Sequence, residues 1–141
     1  MGVESLGHVV IKVRDLQRSE AFYAGVLGIP VISRISSPVR MTFFTLGHHH
    51  DFAIIEVGGE APSPDPGATG LAHVAFKIGD SRESFDSMQS HLDSAGMDIL
   101  YTAERDVTTS LHLHDPDGNE VELYVDKADS ATERIPGMAV E

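Results

Sequence analysis

Leu6-Gly7-His8-Val9-Val10-Ile11-Lys12-Val13 and Leu71-Ala72-His73-Val74-Ala75-Phe76-Lys77-Ile78 carry one pattern written twice. In both stretches β-branched and apolar residues recur with the period of two that marks a strand. His8 falls where His73 falls, and Lys12 where Lys77 falls. An aspartate follows each, Asp15 or Asp80, placed to cap a helix N-terminus with its side-chain oxygen. The first helix then draws an apolar face from Leu16, Phe22, Tyr23, Val26 and Leu27, the second from Phe85, Met88, Leu92 and Ala95. Gly28 and Gly96 stand where a helix ends in a left-handed residue.

Three further strands follow each helix. In the first copy they are expected over 31–36, 39–46 and 52–57, and in the second over 97–103, 108–114 and 120–125. The order is strand, helix, strand, strand, strand, twice over, and such an internal repeat governs the reading of everything else. Module one spans about 4–57 and module two about 70–126. A linker rich in Gly, Pro, Ser and Asp covers 58–69, and a tail poor in large apolar residues covers 127–141. The expected fold is α+β: one domain over 1–126, made of two paired βαβββ modules that form a curved mixed sheet around a metal cleft.

The last strand supplies the reason for a metal. Asp115-Pro116-Asp117-Gly118 is turn chemistry, with proline presetting φ and glycine accepting a positive φ. Behind it Glu120, Glu122 and Tyr124 alternate with Val121, Leu123 and Val125. Glutamate is depleted in strand interiors, so Glu122 is either part of a solvated outer face or a ligand. The repeat relates His8 to His73 by a pseudo-twofold, and Glu122 is able to point into the same sheet. Two imidazoles and one carboxylate leave open coordination positions, as Fe(II) sites do and as Mn, Ni or Zn sites can.

Composition agrees. The 141 residues contain no cysteine, so thiolate catalysis, disulfides and cysteine zinc sites are excluded, while 8 histidines and 22 acids supply nitrogen and oxygen ligands. A formal charge of -12 argues against nucleic acid as a partner and against an anionic membrane surface. No run approaches about 18 apolar residues and no leader opens the chain, so a cytoplasmic protein is expected.

The Gly-His-Val-Val-Ile-Lys-Val opening, Asp-Leu-Gln-Arg-Ser-Glu-Ala-Phe-Tyr, and Asp-Pro-Asp-Gly-Asn-Glu-Val-Glu-Leu resemble the vicinal oxygen chelate superfamily. Glyoxalase I, extradiol ring-cleaving dioxygenases, epimerases and the bleomycin- and fosfomycin-resistance proteins belong to it. The resemblance implies a divalent metal held by His8, His73 and Glu122, a small-molecule substrate and a homodimer. His-His-Asp-Phe-Ala at 49–53 is similar to the extradiol dioxygenases, which implies Fe(II), a small aromatic diol and an acid–base role for His50. By strand parity His50 shares a face with Phe52, Ile54 and Glu56, whereas His48 reads as an exposed turn residue. Extradiol enzymes carry a tyrosine where this chain has His112, which is able to donate a hydrogen bond to bound oxygens but differs in geometry and charge. Glu56 corresponds to the glutamate that glyoxalase I enzymes use as a fourth ligand. It therefore keeps a lyase or isomerase in view, with a non-enzymatic drug-binding protein as a third class.

Overall fold

The computed structural model describes residues 1–127 and divides the chain into two compact units, Met1–Pro64 and a second beginning at Asp65. The tail expected over 127–141 lies, apart from Lys127, outside the described residues. Each unit has the expected βαβββ order, so the protein is α+β.

In the first unit β1 (Val9–Val13) leads to α1 (Leu16–Glu20), which runs on as a π-helical segment over Ala21–Val26. β2 (Val31–Ile35), β3 (Met41–Phe44) and β4 (Phe52–Glu56) complete a mixed sheet of order β1-β4-β3-β2, in which β1 and β4 run parallel. Asp15 caps α1 as its sequence position implies, its Oδ1 accepting from the Arg18 amide at 2.8 Å. Gly28 ends the helical segment nearby with φ 74°.

Ile11, Val13, Phe52 and Ile54 are buried, and the ring of Tyr23 lies 4.8 Å from that of Phe52. That face of the sheet is closed by the helix. Paired residues on neighbouring strands share a face. The pair Val13–Glu56 therefore puts Glu56 on the helix side, and the pair Val10–Ala53 belongs to the other side.

The second unit repeats the plan with β5 (Val74–Gly79), α2 (Arg82–Ser94), β6 (Ile99–Glu104), β7 (Thr108–His114) and β8 (Glu120–Asp126), in the order β5-β8-β7-β6. Phe76, Phe85, Leu92, Leu111, Leu113, Val121, Leu123 and Val125 form its core. The cap of α2 corrects the sequence reading. Ser81, not Asp80, starts this helix, its side chain accepting from the Ser84 amide at 3.1 Å. The Asp80 carboxylate is held instead by Lys77, whose Nζ lies 2.6 Å from it and 2.7 Å from Asp126. Both carboxylates push the Lys77 ammonium above its ordinary range.

Four strands also begin later than expected: β3 at Met41, β6 at Ile99, and the first strand of each unit. β1 starts at Val9 and β5 at Val74, so His8 and His73 sit just ahead of their strands rather than inside them. Among the described residues no helix is long and apolar enough to cross a membrane.

Candidate metal centre

The loop before β8 sets the second unit's polar face. Asp115 is buried, and its Oδ1 accepts from the amides of Asp117 and Asn119, each at 2.9 Å. The Asn119 side chain donates to Oδ2 at 2.8 Å, and Gly118 supplies the required positive φ of 91°. The turn thus delivers β8 in one register, with Val121, Leu123 and Val125 in the core and Glu120 and Glu122 on the opposite face.

Glu122 pairs directly with His112 across β7 and with Ala75 across β5. Two residues before Ala75, the same alternation brings His73 beside Glu120. His73 Nε2 lies 3.0 Å from Glu122 Oε2, and its Nδ1 lies 3.5 Å from Glu120 Oε2. His112 repeats the arrangement, with Nδ1 3.4 Å from the same Glu120 oxygen and Nε2 3.9 Å from Glu122 Oε1.

His112 is only 3% exposed, and its Nδ1 has no hydrogen-bond partner. The Tyr101 ring stacks on it at 4.3 Å and 16°. Burial first, and then the charges of Glu120 and Glu122, push the Tyr101 phenol above its usual range. This face is electronegative and rich in acceptors. One ligand atom from each of His73, His112 and Glu120 fits within 4.8 Å of the others. A buried imidazole with an orphaned nitrogen among carboxylates suits a divalent cation, and the nitrogen and oxygen donors suit Fe, Mn, Ni or Zn.

The first unit gathers a different set. His8, His49 and His50 place their ligand atoms within 4.8 Å of one another. The His50 ring lies 4.8 Å from His8 and 3.7 Å from His49, with Phe43 edge-on at 5.5 Å. Asp51 organises this bend, its Oδ2 accepting from the Leu46 amide at 2.6 Å. That hydrogen bond is the main reason its carboxyl sits below the usual range. Desolvation, reinforced by His49 and His8 and opposed by Asp51, holds the His50 imidazole below its ordinary value.

His50 does not share a face with Phe52, Ile54 and Glu56 as strand parity predicts. The strand begins at Phe52, and residues 46–50 form a bend, so alternation does not extend back to His50. His50 packs on Phe43, which pairs with Ala53 and so belongs to the face opposite Phe52 and Ile54. Glu56 remains with Phe52 and Ile54, and both of its oxygens are occupied. Oε2 accepts from the Leu16 amide at 2.8 Å and Oε1 from Arg40 at 2.7 Å. Glu56 serves the start of α1.

His8 and His50 thus come together in the first unit, and His73, His112 and Glu122 in the second. Sequence reasoning missed His49, Tyr101 and Glu120. Glu120 alternates with Val121 on the same face as Glu122, but that signal alone does not tell it from a solvated acid.

The family model described as the Glyoxalase/Bleomycin resistance protein/Dioxygenase superfamily matches residues 5–123. Over 122 residues the chain is 34% identical to a biphenyl-2,3-diol 1,2-dioxygenase 3 of Rhodococcus globerulus, using 86% of this chain but spanning only 63% of that protein. It is 26% identical to the glutathione transferase FosA of Serratia marcescens, covering 87% of this chain and 82% of the transferase. A glyoxylase/bleomycin resistance protein/dioxygenase domain from Frankia sp. EAN1pec shares the fold with TM-score 0.75 and 23% identity, over 89% of this chain and 99% of that one. The curated relatives are mostly enzymes.

Proposed function

Because the chain belongs to the glyoxalase/bleomycin resistance protein/dioxygenase superfamily, we propose that it is a metal-dependent enzyme of the extradiol-dioxygenase kind acting on a small aromatic diol. In this reading His8, His73 and Glu122 hold the metal and His50 moves the proton. The observation that carries it is the 3.0 Å approach of His73 Nε2 to Glu122 Oε2, beside a buried histidine with an orphaned nitrogen. His8 joins the set through its repeat relation to His73. The relative named for a biphenyl diol supports the substrate class.

A bound divalent ion, Fe(II) for this reaction and Mn, Ni or Zn for its alternatives, supplies Lewis-acid charge and a template for two vicinal oxygens. The protein's own residues do the rest. A neutral His50 accepts a hydroxyl proton on its free ring nitrogen and returns it later, which is general acid–base work. Its lowered pKa keeps that nitrogen unprotonated at neutral pH. The Phe43 ring beside it offers flat apolar surface to an aromatic substrate.

The match to a transferase over most of its length supports a second reading, group transfer to a small electrophile at the same residues. The lyase or isomerase version with Glu56 as fourth ligand is weaker, because Glu56 is committed to Leu16 and Arg40. A homodimer is part of the proposal on family grounds.

The test is metal analysis of purified parent, His8→Ala, His73→Ala and Glu122→Ala, followed by O2 uptake with catechols after anaerobic Fe(II) loading. Each variant is expected to lose stoichiometric metal. The parent is expected to consume O2 with a diol and to leave the hemithioacetal of methylglyoxal untouched. Full metal content in all three variants refutes the ligand set, and turnover of the hemithioacetal without O2 uptake refutes the reaction class.

A further inference from the structure

Resting on the proposed metal site, we infer that His112 is itself a metal ligand. His73, His112 and Glu122 then supply two histidines and one carboxylate from the second unit to that site, and Glu120 is the residue that positions both rings.

A neutral imidazole carries one N–H, and a nearby carboxylate draws it to the nitrogen that faces it. Glu120 Oε2 lies between two such nitrogens, 3.5 Å from His73 Nδ1 and 3.4 Å from His112 Nδ1. Glu120 thus stands on the Nδ1 side of both rings, and both Nε2 atoms face the other way. There they meet Glu122, at 3.0 Å from His73 and 3.9 Å from His112.

Two imidazole nitrogens and a carboxylate then meet, and a proton or a cation has to lie between them. On an exposed surface water would resolve this. His112 is 3% exposed, so a cation answers the need better. Metal–ligand bonds of about 2.1 Å at octahedral to tetrahedral angles separate neighbouring donor atoms by about 3.0–3.5 Å. The His73–Glu122 separation is already within that span, and His112 Nε2 lies 3.9 Å from the same carboxylate.

The rest of the surroundings fit a ligand. Tyr101 stacks face-on against the His112 ring and limits its tilt. Glu122 stands directly opposite His112 in the β7–β8 pair, so both side chains leave the same face of the sheet. Acceptance of a ligand's ring N–H by a carboxylate is the usual way a metal-binding imidazole is oriented, and losing that partner costs about 10–100-fold in metal affinity.

The experiment uses the full chain loaded with Co(II), reading both the dissociation constant by chelator competition and the visible ligand-field spectrum. His112→Phe and His112→Gln are compared with parent, Glu120→Gln, Glu120→Ala, His73→Ala and Glu122→Ala. Circular dichroism of the metal-free proteins checks folding, and the glutamine variant covers the case in which phenylalanine does not fit. Both His112 variants are expected to bind Co(II) at least tenfold more weakly and to change the spectrum. Glu120→Ala is expected to weaken binding about 10–100-fold, with partial rescue in Glu120→Gln, which keeps an acceptor oxygen. Parent affinity and spectrum in a folded His112 variant overturn the inference. If His73→Ala and Glu122→Ala still lose Co(II) in that case, the metal site stands and only the ligand role of His112 falls. If they too retain it, the metal site itself falls.

Discussion

Replacing Glu56 separates two accounts of this protein. Its Oε2 accepts the Leu16 amide at 2.8 Å, one of the α1 amides that has no partner inside the helix. Its Oε1 meets Arg40 at 2.7 Å, but that guanidinium is more than half exposed and the pair is worth little by itself. Glu56→Ala therefore strands one half-buried amide and removes one charge-assisted hydrogen bond, a loss of about 1–2 kcal/mol once solvent screening is allowed for. For a chain of this length that lowers the melting temperature by about 3–7 °C. Glu56→Gln keeps an acceptor and should lose about half as much. Thermal denaturation of metal-free protein reads the stability, and elemental analysis of the same preparations reads the metal. Stability should fall while stoichiometric metal is kept. A Glu56→Gln protein that folds like the parent and loses its metal would refute the helix-capping role and restore the four-ligand lyase reading.

Two further outcomes follow from the same geometry. His50→Gln should keep its metal and lower turnover by about 10²–10⁴-fold, while His48→Gln does little. In the parent the acid limb of the pH–rate profile should lie below about 6.5, because the His50 imidazole must be neutral to accept a proton and its pKa is depressed. Parent-like turnover by His50→Gln, or loss of its metal, removes it from that role. Asp115→Ala strands the Asp117 and Asn119 amides and the Asn119 side chain, and should cost about 2–4 kcal/mol in urea denaturation of the metal-free chain. A loss well under 1 kcal/mol would show that the turn forms without its carboxylate.

The fold was legible because its signals are local and occur twice. Period-two alternation, an N-cap and a glycine stop each act over a few residues, and each recurs about 65 positions later in the same order (His8 to His73). The α2 cap was misjudged because Asp80 and Ser81 are both good capping residues. What decides between them is Lys77, pinned between Asp80 and Asp126, and the Asp126 contact is a long-range fact that no local pattern contains.

The errors at the site have one physical source. Counting faces by parity assumes continuous extended backbone, and that held from Glu120 to Val125, where Glu122 was assigned its face correctly. It did not hold from His50 to Glu56, because Asp51 ties its carboxylate to the Leu46 amide and bends residues 46–50 out of the strand. His50 and Glu56, read as neighbours on one face, lie on opposite ones.

Glu120 was invisible for a different reason. An acid on the alternate face of a strand is ordinarily solvated, and nothing in its sequence neighbourhood distinguishes it from Tyr124 or Asp126. Only the placement of one oxygen between two imidazole nitrogens gives it a task, and that placement needs β5 and β7 to flank β8. Pairing order is the least local property of a sheet. It follows that the residues a single sequence reveals best here are those whose chemistry conflicts with their own strand, such as His112 between Leu111 and Leu113. The residues that orient them agree with their strand and are found only in the fold.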